Sequence, residues 1–247
     1  DAIDQYRFDR EPKPKGQPAE PLLSFPGGAL VHFAVSDSEV YMTTKLDGAA
    51  TSFLPFNLGD HGGAGNPTNP SGHRTAYLWQ QVFAREGWLE ILGRYLSPKL
   101  DDKKHLVDFI FPRYHQLDVT RKLQAAVLRE GAGARYLVQH SAGSGKSNSI
   151  AWLAHQLVEL RRKDDPMTAQ FDSIIVITDR RALDTQIART IKGYDHVAAI
   201  FGHSDNAQEL RDYLRRGKKI IVTTVQKFPF ILDELGDLSS KSFALLI

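Results

Sequence analysis

The chain has 247 residues, of which 42% are hydrophobic, and its 31 lysines and arginines nearly balance its 29 aspartates and glutamates. This composition is typical of a globular protein and excludes a disordered or collagen-like chain. The absence of cysteine excludes disulfide bonds and thiolate chemistry, and no apolar run reaches the 18 or so residues of a membrane span. We therefore expect a cytoplasmic protein that does not bind a membrane.

The patterns at both ends of the chain indicate that each end lies within a helix or a strand. Residues 1–8 have the pattern of a helix that starts without a preceding turn, and the apolar run at residues 243–247 resembles half of a buried strand. We therefore expect parts of a longer protein on both sides of this sequence.

The first half of the chain contains short elements and long connections. Proline, glycine and asparagine interrupt the apolar periodicity, and β-rich runs flank a Ser-Asp-Ser turn. In chain order, these patterns predict a helix at residues 1–8, a connection at 11–28, a β-hairpin at 29–44, a long loop at 45–74, two short helices around Gly87 within 75–97, and an exposed connection at 99–104.

The second half alternates apolar β-rich runs with helix-length periodic segments. The predicted strands are residues 136–139, 173–178, 197–201, 219–223 and 243–247. The predicted helices are residues 116–130, 147–162, 181–192, 206–216 and 225–235. Such alternation indicates βαβ units, and strands that are apolar on both faces indicate a parallel sheet with helices on each side.

The sharpest local motif lies between a predicted strand and a predicted helix. Gly143-Ser144-Gly145-Lys146-Ser147 is the end of a P-loop pattern, although His140 stands where the strict pattern has glycine. Glycines let backbone N–H groups surround phosphate oxygens, the lysine reaches the β- and γ-phosphates, and the serine hydroxyl binds Mg²⁺. The motif therefore predicts a site for ATP and Mg²⁺.

Gln116 allows two interpretations. A glutamine at the start of a helix is ordinarily a solvated capping residue. Its position thirty residues before Lys146 favours a second role, because an amide can donate to and accept from an adenine edge at the same time.

Two further segments follow predicted strands, so we expect them on the same edge of the sheet as the nucleotide. Hydroxyls, arginines and helix N-termini at such an edge suit the phosphates of a nucleic acid. The alternative is a set of helix caps and solvated charges. The candidates for DNA binding or coupling are Asp179, Arg180, Arg181, Thr223, Thr224 and Gln226.

Taken in order, residues 113–116, 138–147, 177–183 and 223–227 closely resemble the first motor domain of the restriction (R) subunit of type I restriction–modification enzymes. That subunit is a superfamily 2 ATP-dependent DNA translocase joined to an N-terminal nuclease domain. In this family a residue such as His140 at the leading P-loop position is ordinary. The resemblance implies a translocase that acts on double-stranded DNA with modification (methyltransferase) and specificity subunits.

The resemblance extends into the first hundred residues. Gln5 matches the glutamine of a Gln-x-x-x-Tyr element that supports the nuclease metal site in this family, whereas Asp9 stands at the tyrosine position. The family's catalytic carboxylates would precede Asp1, and its Walker B Asp-Glu-Ala-His would follow Ile247. We therefore expect no catalytic residue within this sequence beyond possible support from Gln5, and no activity from this segment in isolation.

The resemblance predicts three segments of an α/β protein. Residues 1–72 would end a nuclease-type domain, residues 73–104 would form a helical connector, and residues 105–247 would begin a RecA-like P-loop lobe. The implied activity is that of an ATP-dependent type I site-specific deoxyribonuclease. Two alternatives stay open: a stand-alone superfamily 2 helicase or translocase without a nuclease, and a non-catalytic module that binds nucleotide or partner subunits.

Overall fold

The computed structural model describes residues 1–10, 12–13, 15–16, 18, 20–193, 200–231 and 240–247, without the side chains of Arg181 and Ala182. These residues form two compact units, Asp1–Leu117 and Asp118–Ile247. None of the helices in this part of the chain is long and apolar enough to cross a membrane. The predicted division at residues 72/73 and 104/105 stays a prediction.

The first unit contains two small antiparallel sheets. Its elements are α1 (Ala2–Asp4), which continues as a π-helical turn (Gln5–Asp9), a 3₁₀ turn (Pro21–Leu23), β1 (His32–Val35), β2 (Val40–Thr43), β3 (Leu54–Pro55), a π-helical turn (Leu78–Val82), α2 (Arg85–Arg94), β4 (Ser97–Leu100) and β5 (Leu106–Ile110). Strand β2 lies between β1 and β3, and β4 pairs with β5. The predicted β1–β2 hairpin is confirmed, and the Ser36 hydroxyl accepts the Glu39 N–H in its turn.

The two short helical segments predicted within residues 75–97 are confirmed, but the break between them precedes Arg85, and Gly87 lies inside α2. A Cβ at Gly87 would come within 2.1 Å of the Gln81 carbonyl oxygen. The glycine thus permits a close backbone approach instead of ending a helix. Residues 99–100, predicted as part of an exposed connection, belong to β4, and the turn between β4 and β5 follows them.

Aromatic side chains form the core of the first unit. The Phe33 ring lies 5.4 Å from Phe56 and 6.0 Å from Phe111, in edge-to-face contacts. The Tyr77 hydroxyl donates to the Phe56 carbonyl at 2.6 Å, and burial raises the pKa of Tyr77. Tyr114 packs against both Phe56 and Tyr77.

The second unit is a parallel sheet with helices on both faces. Helix α3 (Tyr114–Glu130) contains the boundary between the units. The elements that follow are α4 (Lys146–Glu159), β6 (Ser173–Thr178), α5 (Arg181–Lys192), β7 (Phe201–His203), α6 (Ala207–Arg215), β8 (Ile220–Thr224), a 3₁₀ segment (Val225–Ile231) and β9 (Phe243–Leu246). The strand order is β7-β8-β6-β9, and all three pairings are parallel.

Alternation along the strands divides the core of the second unit into two layers. Ile174 and Val176 of β6 pack with side chains of α4 and α5, whereas Ile175 and Ile177 pack with α6 and the 3₁₀ segment. Both sets are almost fully buried. The predicted sheet with helices on each side is therefore confirmed.

The segment before the P-loop differs from its prediction. Residues 136–139 form no strand, and Leu137 is 93% exposed. An apolar, β-rich run becomes a strand only beside a partner, and among the described residues this run pairs with none. Of the other predictions, residues 197–199 of one strand and 232–235 of one helix lie outside the described residues.

A buried histidine predicts how stability depends on pH. Burial lowers the pKa of His155 in α4, where its Nε2 donates to the Ile191 carbonyl at 3.2 Å. The unfolded chain therefore binds a proton more readily than the folded one, so the contribution of His155 to stability is present above about pH 6.5 and is lost as the pH falls through the folded pKa.

We expect the urea midpoint of the intact protein to fall between pH 7 and pH 5, and to fall less in His155→Gln than in the wild type. The matched control is His61→Gln, which replaces an exposed histidine and leaves the buried His155 in place. An unchanged pH dependence in His155→Gln would contradict this assignment.

Candidate functional site

The P-loop lies at the carboxyl edge of the parallel sheet. The Gln170 N–H donates to the Leu160 carbonyl at 2.8 Å, so the C-terminal end of α4 lies beside the start of β6. Helix α4 packs along the sheet through Ala151 and Leu157. Its 14 residues extend about 21 Å, close to the length of a six-residue strand. The N-terminus of α4 therefore lies where the strands end.

Two glycines give the loop its conformation. Gly143 has φ of 72° and Gly145 has φ of 80°, and α4 begins at the next residue. These left-handed conformations favour glycine. Among the described residues only His61 and Lys104 combine a side chain with positive φ, so His140 occupies its position without this strain.

The Lys146 side chain forms hydrogen bonds with the backbone of the loop that precedes it. Its Nζ donates to the carbonyl oxygens of His140 at 3.1 Å and Ser141 at 2.8 Å, and the side chain is exposed. Ser147 is partly exposed in the first turn of α4, and Ser144 is 6% exposed. A positive helix end, left-handed glycines, a cation and a hydroxyl together fit a nucleotide phosphate with Mg²⁺.

Gln116 has the geometry of a capping residue. It lies in the first turn of α3 and is 3% exposed, and its Oε1 accepts the Arg113 N–H at 2.9 Å. This contact is the side chain-to-backbone half of a capping box. Gln116 belongs to the first compact unit and the P-loop to the second, and its contact with adenine stays a prediction.

The segment after β6 presents charged and polar groups to solvent. Side chains of Asp179 and Arg180 are 69% and 82% exposed and form an ion pair at 3.4 Å. Gln226, which follows β8, is exposed and donates from Nε2 to the Asp179 carbonyl at 3.0 Å. This bond joins the two segments predicted to contact DNA. The Arg181 side chain lies outside the described structure.

The two threonines at the end of β8 are buried. Thr223 is 0% exposed and Thr224 is 5% exposed. The Thr223 hydroxyl accepts from Ser204 Oγ at 2.9 Å, which connects the end of β8 to the residue after β7. The role of both threonines in DNA binding or coupling stays a prediction.

Gln5 lies in the first unit, at the start of the π-helical turn, and it and Asp9 are exposed. Its support of a nuclease metal site stays a prediction.

Sequence analysis did not identify three further polar residues at the carboxyl edge. Asp184 contacts His203, and Ser204 follows His203 in the chain; Asp184 is 4% exposed and Ser204 is 0% exposed. None belongs to a recognisable motif. Their position could have marked them: His203 ends β7, Ser204 follows it, and Asp184 lies in the first turn of the helix that follows β6.

The fold and the loop together define a RecA-like P-loop lobe. The family model for the SWI2/SNF2 ATPase matches residues 115–246, more than half of the chain. The chain therefore belongs to the SWI2/SNF2 ATPase family and contains a superfamily 2 helicase-type segment, a class that uses ATP. The comparison with curated proteins finds no match.

Replacement of the loop lysine tests the nucleotide site. We expect Lys146→Ala to lower the kcat of ATP hydrolysis by the intact protein about a hundredfold or more, because the cation that would neutralise phosphate charge is lost. The melting temperature should stay near that of the wild type, since the Lys146 side chain is exposed. Lys163→Ala, at an exposed lysine after α4, is the matched control. Wild-type hydrolysis by Lys146→Ala would refute the P-loop assignment.

Proposed function

We propose that this chain is part of the motor of a type I restriction enzyme, in which ATP hydrolysis drives translocation of double-stranded DNA. The observation that carries the proposal is the shared edge: the P-loop, Arg180 and Gln226 all lie where the parallel strands end. A nucleotide site beside exposed groups that can bind nucleic-acid phosphates is the arrangement that a DNA-dependent ATPase requires.

The loop residues would act together on ATP. The N–H groups from Gly143 to Lys146 would surround the phosphates, and the α4 N-terminus adds positive potential. Lys146 would exchange its carbonyl partners, His140 and Ser141, for phosphate oxygens. Ser147 would hold Mg²⁺, which neutralises charge on the phosphates during their transfer.

The same edge would carry the DNA. Arg180 can donate to a phosphate as a bidentate group, and Gln226 can donate to phosphate or sugar oxygens. Asp179 forms an ion pair with Arg180 and accepts from Gln226 through its carbonyl, so it would orient both. The modification and specificity subunits would be the partners of this motor, and the nuclease would cut when translocation stalls.

One observation favours a second candidate, a stand-alone superfamily 2 translocase without a nuclease. The family match starts at residue 115, so it leaves the first 114 residues, including Gln5, unmatched. Under this alternative the first unit has a role other than DNA cleavage.

Plasmid cleavage separates the two candidates. We expect the intact protein, mixed with its modification and specificity subunits, to hydrolyse ATP faster when DNA is added and to cut circular plasmid only with ATP. Omission of the partner subunits, and Lys146→Ala, are the controls. DNA-stimulated hydrolysis without cleavage under any condition would favour the stand-alone translocase, and hydrolysis indifferent to DNA would refute both candidates.

A further inference from the structure

A buried carboxylate links three elements at the carboxyl edge. Asp184, in the first turn of α5, accepts at Oδ1 from the Thr178 hydroxyl at 3.4 Å and lies with Oδ2 2.5 Å from His203 Nε2. Thr178 ends β6 and His203 ends β7. A carboxylate that is 4% exposed is costly unless such partners satisfy it.

This link crosses the end of another strand. In the sheet, β8 lies between β6 and β7, so the Thr178–Asp184–His203 link joins the two strands on either side of β8. The end of β8 carries Thr223, which accepts from Ser204. Asp184 therefore fixes the frame around the segment that leads to Gln226.

Two further hydrogen bonds hold the backbone of Ser204, the residue after His203. The Ser204 N–H donates to the Val222 carbonyl at 3.1 Å, and Lys227 Nζ donates to the Ser204 carbonyl. The backbone at the end of β7 is thus fixed from β8 and from the 3₁₀ segment.

Within this network, His203 reaches solvent. Its side chain is 23% exposed, against 6% for Asp184. Among the described residues, its ring nitrogen Nδ1 has no hydrogen-bond partner. A ring that is fixed by a carboxylate at one nitrogen presents the other in a defined direction, as in other carboxylate–histidine pairs.

We infer that His203 contacts a DNA phosphate through Nδ1 and that Asp184 is the positioning residue that orients its ring. The inference rests on the proposed function, because it adds a contact to the same DNA-binding edge. Donation to phosphate and to Asp184 at once requires a proton on each ring nitrogen, so the contact is cationic. A cationic phosphate contact releases a counter-ion and steepens the dependence of binding on salt.

The test is the binding of a labelled DNA duplex to the intact protein, measured by fluorescence anisotropy over a range of KCl concentrations. We expect His203→Gln to weaken binding about tenfold at fixed salt and to make the slope of log K against log salt shallower by about one. Asp184→Asn should give the same change in slope. Lys163→Gln removes an exposed cation elsewhere and should keep the wild-type slope.

A double-mutant cycle separates positioning from independent effects. The Asp184→Asn/His203→Gln variant should bind no more weakly than His203→Gln alone. Additive losses, a wild-type slope in His203→Gln, or an equal loss of slope in Lys163→Gln would overturn the inference while leaving the proposed function intact. A wild-type protein that does not bind DNA would overturn both. If Asp184→Asn fails to fold by circular dichroism, the slope of His203→Gln decides alone.

Discussion

The parallel pairing of β6 with β8 and β9 is the constraint on which the second unit depends. It aligns the carboxyl ends of successive strands, so segments far apart in sequence meet at one edge. Helix α4 returns along the sheet and brings the P-loop to that edge. This pairing is the reason that the P-loop glycines, Lys146 and the polar groups near Arg180 lie at the same edge of the sheet.

The polar groups at this edge form two sets, one buried and hydrogen-bonded and one exposed to solvent. Thr178, Asp184, Ser204 and Thr223 are almost fully buried and bond to one another or to His203. Arg180 and Gln226 are exposed. Satisfied buried polar networks are rigid, so the exposed groups are carried on a fixed frame. Such a frame suits the proposed function, in which one edge would bind both a nucleotide and a nucleic acid.

Much of the second unit could be predicted from sequence, because its signals are local. Residues 173–178 are apolar on both faces and 181–192 have helical periodicity, and both elements have the predicted bounds. The strand predicted at residues 136–139 was wrong, because composition does not reveal whether a partner strand is adjacent. The hydrogen bond of Thr223 was equally hidden, since its partner Ser204 lies 19 residues earlier in the chain. Motif residues could be found from spacing, whereas His203 required the strand order.

The most direct test of the account is an experimental structure of the intact protein with a non-hydrolysable ATP analogue and Mg²⁺. The account predicts phosphates within the loop from Gly143 to Ser147, with Lys146 Nζ moved from the carbonyls of His140 and Ser141 to the phosphate oxygens. A nucleotide bound elsewhere, or a Lys146 that keeps its carbonyl contacts while the nucleotide is bound, would contradict it.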